Sequence, residues 1–147
     1  MSIDQLAPAE LAPSQEASAE EIAVVPLTMP AGFPSPALDY VTETINLHEN
    51  LVRHPASTFI ARVTGSSMEG AGISDGDRVL VEKGREPQSG DVVIAVLEDQ
   101  FTLKRLMIER GRVWLHAENS EYPDIEIPRL DELTIWGVVY MSLHHLP

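Results

Sequence analysis

The chain has 147 residues, 44% of them hydrophobic, enough for one compact domain with a core of its own. It contains no cysteine, which excludes disulfides and thiolate metal sites, and no apolar run of 18 residues, which excludes a helical membrane span. A net charge of −13, with eight acids and no Lys or Arg before Arg53, argues against direct binding of DNA by phosphate neutralisation, which needs clustered bases.

Residues 1–21 are rich in Ala, Ser, Pro, Glu and Gln. They offer too little apolar surface to order themselves and read as a mobile arm. With no base near its start, the segment does not read as a signal or transit peptide, and the expected location is the cytoplasm. Residues 22–30 are apolar but interrupted by Pro26 and Pro30, which favours an extended strip that lies along a groove or sheet edge. Ala31-Gly32-Phe33-Pro34-Ser35-Pro36 follows as an exposed, irregular loop.

From Pro36 the pattern turns helical. Ser35 suits an N-cap and Pro36 the first helical position, and Leu38, Val41 and Ile45 recur at helical spacing. The helix is expected to pause near Asn46, resume through Leu51 and Val52, and end at Pro55. Beyond residue 57 the chain reads as seven short strands, at 58–63, 77–83, 91–98, 100–107, 112–117, 124–127 and 133–142. Turn chemistry separates them at Ser74-Asp75-Gly76-Asp77, Ser89-Gly90, Glu98-Asp99 and Arg110-Gly111. Such a series predicts a mostly β, antiparallel barrel-like or sandwich-like fold.

Two residues stand out chemically. Ser67 follows the first of these strands in Gly65-Ser66-Ser67-Met68, where Gly65 permits a tight backbone and the amides of Ser66 and Ser67 are candidates to face a developing oxyanion. Lys104, one of only two lysines, lies inside Phe101-Thr102-Leu103-Lys104-Arg105-Leu106. Thr102 and Leu106 share its face of the strand, so that face is partly buried. A serine and a neutral lysine can form a nucleophile–base dyad without histidine. The plainer alternatives are a strand-to-turn junction plugged by Met68, and an edge-strand lysine reaching for water beside Arg105.

The remaining polar residues point to no cofactor. His48, His54, His116, His144 and His145 lack metal-ligand spacing, and Asp75 and Asp77 flank a turn glycine without a calcium-loop pattern. No glycine-rich phosphate loop occurs, and the few aromatics are not interleaved with bases.

Taken in order, Gly65-Ser66-Ser67-Met68, Gly72-Ile73-Ser74-Asp75-Gly76-Asp77, Gly90-Asp91-Val92-Val93, Phe101 to Leu106 and Ile135-Trp136-Gly137-Val138-Val139 resemble the LexA/UmuD family of self-cleaving serine peptidases. Ala31 to Ala37 with Asp39-Tyr40-Val41, and the lack of a DNA-binding head, bring the chain nearest the UmuD branch, SOS mutagenesis proteins. The resemblance runs from about residue 24 to the end and implies a LexA-like peptidase fold. It further implies Ser67 as nucleophile, Lys104 as general base, oxyanion binding by backbone amides at Ser66 and Ser67, and Ala31–Gly32 as the bond cut. Residues 1–31 would then be an arm removed by self-cleavage and 32–147 a peptidase and dimerisation domain.

The implied partners are a second copy of the chain, a RecA filament on single-stranded DNA that stimulates cleavage, and an UmuC-type subunit with which the trimmed dimer forms a translesion polymerase. One departure is that Ala31 stands where the best-known member of the UmuD branch has Cys. Ala-Gly is the LexA-type pair, and both side chains are small. The rival readings are a dimeric binding module without proteolysis, a repressor, which would need a basic DNA-binding domain, and a signal peptidase, which would need a membrane anchor.

Overall fold

The structure, a computed structural model, describes residues 2–8 as backbone and residues 20–26 and 41–147 in full. The described chain falls into two compact units. The larger holds β1 (Ser2–Pro8), β4 (Thr58–Thr64), β5 (Arg78–Lys83), β6 (Val92–Leu97), β7 (Gln100–Glu109), β8 (Arg112–His116), β9 (Ile125–Ile127) and β10 (Thr134–Leu143). They form one antiparallel sheet in the order β1-β4-β5-β10-β6-β7-β8-β9. All seven strands expected from the sequence after residue 57 are present, and the fold is mostly β as expected.

The sheet has two cores. Ala61, Val63, Met68, Ile73, Val79, Val81, Ile94 and Leu103 form one buried cluster, with Trp136 packed against it. Val93, Ala95, Leu106, Val113, Leu115, Ile127 and Val138 form the other. The alternation of a strand explains the division: on β6, Ile94 enters the first cluster while its neighbours Val93 and Ala95 enter the second. That is why β6 reads as an unbroken apolar run rather than as an alternating one.

The turns follow from local chemistry. Glu98 and Asp99 (φ 49° and 63°) close the β6–β7 hairpin between the paired residues Leu97 and Gln100. Arg110 and Gly111 (φ 51° and 79°) close β7–β8 between Glu109 and Arg112. Two successive residues at positive φ match the right-handed twist of the flanking strands.

The N-terminal half departs from expectation in two places. Residues 1–21 were expected to lack structure, yet Ser2–Pro8 pairs with β4, from Ser2 opposite Thr64 to Pro8 opposite Phe59, with a bulge between Gln5 and Ala7. Backbone pairing onto an open edge supplies what the composition cannot, because it draws on N–H and C=O groups that every sequence carries.

Of the helix expected from Pro36, the described residues hold only α1 (Leu47–Leu51), its N-cap Asn46 accepting a hydrogen bond from the Glu49 amide at 3.1 Å. Residues 36–40 lie outside the described part. Glu43–Asn46 is instead strand β3, paired antiparallel with β2 (Glu21–Val24), with Ile22 opposite Ile45. Val41 and Ile45 are four apart, a spacing that shares a face in a helix and in a strand alike, so the pattern did not discriminate. The extended strip expected at 22–30 corresponds to β2 as far as it is described.

Gly137 sits at a tight point of the large sheet. It lies in β10 between β5 and β6, and a Cβ there would stand 2.6 Å from Val81 Cγ1 and 3.0 Å from the Glu82 carbonyl oxygen. Gly137→Ala is expected to destabilise the fold by about 1–3 kcal/mol, the usual cost of overpacking, seen as a lowered midpoint in urea unfolding.

Candidate active site

Lys104 is on an inner strand of the sheet. β7 lies between β6 and β8, and Lys104 stands opposite Val93 of β6, one residue before the pairing with β8 begins at Arg105. Its side chain is only 4% exposed. The Nζ atom donates to Thr102 Oγ1 at 2.9 Å, to Ser67 Oγ at 3.3 Å and to the Leu103 carbonyl oxygen at 3.3 Å. Thr102 is the same-face neighbour that strand alternation assigns. The amine thus meets three neutral oxygens, and among the described residues no carboxylate pairs with it. Ser67 is fully buried. An amine within hydrogen-bond distance of a hydroxyl can take its proton, given a carbonyl carbon for the oxygen to attack.

Ser67 lies in a loop pinned on several sides. β4 ends at Thr64, and Gly65 turns the chain at φ 91°, its amide donating to Asp75 Oδ1 at 2.7 Å. The Ser66 carbonyl accepts from Asn119 Nδ2 at 2.8 Å and from the Glu69 amide at 3.3 Å. The Ser66 hydroxyl is 3.2 Å from Tyr122 Oη. Met68 is fully buried in the first core, so it does plug that core, and the loop is anchored by this burial. The amides of Ser66, Ser67 and Met68 donate to no acceptor among the described residues.

The aspartates flanking Gly76 are braces. Asp75 holds Gly65, while Asp77, 3% exposed, accepts from the Ser74 amide at 2.8 Å and meets His144 Nδ1 at 2.6 Å. This is the turn role the sequence suggested. Among the described residues no cluster of three potential ligands could hold a metal.

Sequence reasoning missed the segment after β8. Glu118, Asn119 and Tyr122 all touch the serine loop, and Glu118 is tied to the sheet through Arg105 Nε at 2.6 Å. The only available signal was the turn chemistry of Glu118-Asn119-Ser120-Glu121, which marks a loop but not its partner. The expected cleavage pair, Ala31 and Gly32, lies outside the described residues.

This arrangement can now be set beside known proteins. The family described as Peptidase S24-like matches residues 22–140. The chain belongs to that family. It is thereby placed among self-cleaving serine peptidases, the class to which the resemblance pointed. It is 44% identical over 118 residues to the protein MucA of Salmonella typhimurium, covering 80% of each chain. It is 40% identical over 134 residues to SamA of Salmonella typhimurium, covering 91% of this chain and 93% of that one. It is also 38% identical over 109 residues to LexA repressor 1 of Pseudomonas syringae, 74% of this chain but only 54% of the repressor.

Gly70 is where the serine loop and the segment after β8 come closest. Its amide donates to the Glu118 carbonyl oxygen at 2.7 Å, and a Cβ would stand 2.6 Å from that same oxygen. Backbone meets backbone there, so no side chain can yield. Gly70→Ala is expected to cost about 1–3 kcal/mol of stability and to lose the Gly70–Glu118 hydrogen bond, read as accelerated amide exchange at residue 70.

Proposed function

We propose that this S24 peptidase cuts its own chain between Ala31 and Gly32 with a Ser67–Lys104 dyad. The observation that carries the proposal is the 3.3 Å hydrogen bond between the buried Lys104 amine and the buried Ser67 hydroxyl. Neutral Lys104 accepts the hydroxyl proton as Ser67 Oγ attacks the Ala31 carbonyl carbon. The backbone amides of Ser66 and Ser67 hold the negative oxygen of the tetrahedral intermediate. Collapse breaks the C–N bond, and Lys104 passes its proton to the departing Gly32 amine. Water then hydrolyses the ester at Ala31, returning Ser67 and leaving residues 1–31 and 32–147 as separate chains.

The substrate is tethered to its own catalyst, or to that of a dimer mate, so weak seating of the strip before Gly32 suffices. β1 and β2 both precede the bond, and cleavage therefore severs both from the later strands. A rarely populated docked state keeps the reaction slow until something favours it.

The resemblance to the UmuD branch supports a RecA filament on single-stranded DNA as that stimulus. It likewise supports a trimmed homodimer that serves an UmuC-type polymerase subunit in translesion synthesis during the SOS response, in the cytoplasm. The acidic charge fits a protein brought to DNA by partners rather than by its own surface.

The test is mass spectrometry of the purified protein held at pH 7 and at pH 10, beside Ser67→Ala and Lys104→Ala. A fragment beginning at Gly32 is expected, forming faster at pH 10 because the lysine acts only when neutral, and falling at least about 10³-fold in either variant. If neither pH nor added RecA filament with nucleotide yields that fragment, the proteolytic reading fails.

A further inference from the structure

We propose that Asn119 is a positioning residue that sets the oxyanion site by fixing the orientation of the Ser66–Ser67 peptide. The inference rests on Ser67 being the nucleophile, and it concerns a residue outside the dyad.

The Ser66 carbonyl and the Ser67 amide belong to one planar trans peptide, so they point in opposite directions. Whatever holds the carbonyl therefore aims the amide. Asn119 Nδ2 holds that carbonyl at 2.8 Å, and the Glu69 amide adds a longer contact at 3.3 Å. On the opposite side, the Ser67 amide donates to no acceptor among the described residues, which is the condition an oxyanion donor must meet. Without the Asn119 contact the Ser66 carbonyl keeps only the longer Glu69 bond, and rotation of this peptide would turn the Ser67 N–H away from the reacting oxygen.

The orientation of the Asn119 amide is settled by its neighbours. Its Oδ1 accepts from the Glu121 backbone amide at 3.0 Å, and that partner can only donate. The NH₂ group is thus the one facing Ser66, whose carbonyl can only accept. The side chain is held in place by its own loop. Tyr122 N donates to the Asn119 carbonyl at 3.0 Å, His116 Nδ1 meets Asp124 Oδ1 at 2.6 Å across the loop, and Arg105 ties Glu118 to β7. A donor fixed at both ends of its amide suits the task of holding a peptide plane still.

Asn119→Asp separates this role from that of a loop cap. It keeps the acceptor for Glu121 and removes the donor to Ser66. Asn119→Ala removes both and adds no charge. Appearance of the Gly32-initiated fragment is measured from pH 7 to pH 10 for both variants, with melting temperatures alongside. Both are expected to slow cleavage by roughly tenfold or more at pH 10, less than the roughly 10²–10³-fold that loss of an oxyanion donor itself costs. A rate within twofold of wild type at pH 10 in either folded variant overturns the inference. So does a loss in Asn119→Asp that is present at pH 7 and gone at pH 10, because that is the signature of its added charge acting on the Lys104 amine. Should Asn119→Ala not fold, Asn119→Asp carries the test alone. Absence of the fragment from the wild-type protein would defeat the dyad reading instead, and is distinguishable from these outcomes.

Discussion

The structure is organised around an amine taken out of water. A buried lysine without an opposite charge is costly, and it persists only where the surrounding groups satisfy its nitrogen and the fold can bear the burial. Here three oxygens do so, from Thr102, Leu103 and Ser67. Burial on this scale is favoured on an inner strand, and β7 lies between β6 and β8. The lysine's neighbours Leu103 and Leu106 are themselves fully buried, one in each apolar cluster, and Leu106 shares the face of Lys104.

The serine's position follows from a different set of forces. Its loop joins no strand ladder, so it is held by single contacts from separate elements: Met68 in the core, Asp75 at Gly65, Asn119 at Ser66, and Glu118 at Gly70. Each is modest alone. Together they leave the loop few ways to move that do not break a bond, and a reaction that needs sub-ångström placement gains from such redundancy.

Much of this was legible in the chain. The β-strands after residue 57 were marked by alternation and by glycine-bearing or acidic turns, because in those stretches local preference and tertiary pairing agree. Ser67 and Lys104 were legible because a lysine in an apolar strand and a serine after a glycine are each slightly out of place. What was not legible has physical causes. β1 is held by backbone groups that carry no sequence signal. β3 hides in a spacing common to helix and strand. The link between Asn119 and Ser66 spans 53 residues and is a single side-chain contact, which no periodicity records.

The hairpins that bound β7 carry a consequence of their own. Lys104 and Arg105 are adjacent, so they leave the strand on opposite faces, one toward Ser67 and the other toward Glu118. A slide of β7 by one residue would exchange them, sending a guanidinium inward and the amine out. Two-residue turns at both ends, Glu98-Asp99 and Arg110-Gly111, act as fixed stops, since neither can absorb an added residue without losing its geometry. The fold of this stretch is therefore more tolerant of a change of letters than of a change of length. Substitutions at the turn tips leave the spacing intact, whereas an insertion or deletion in either turn shifts Lys104 and Arg105 together.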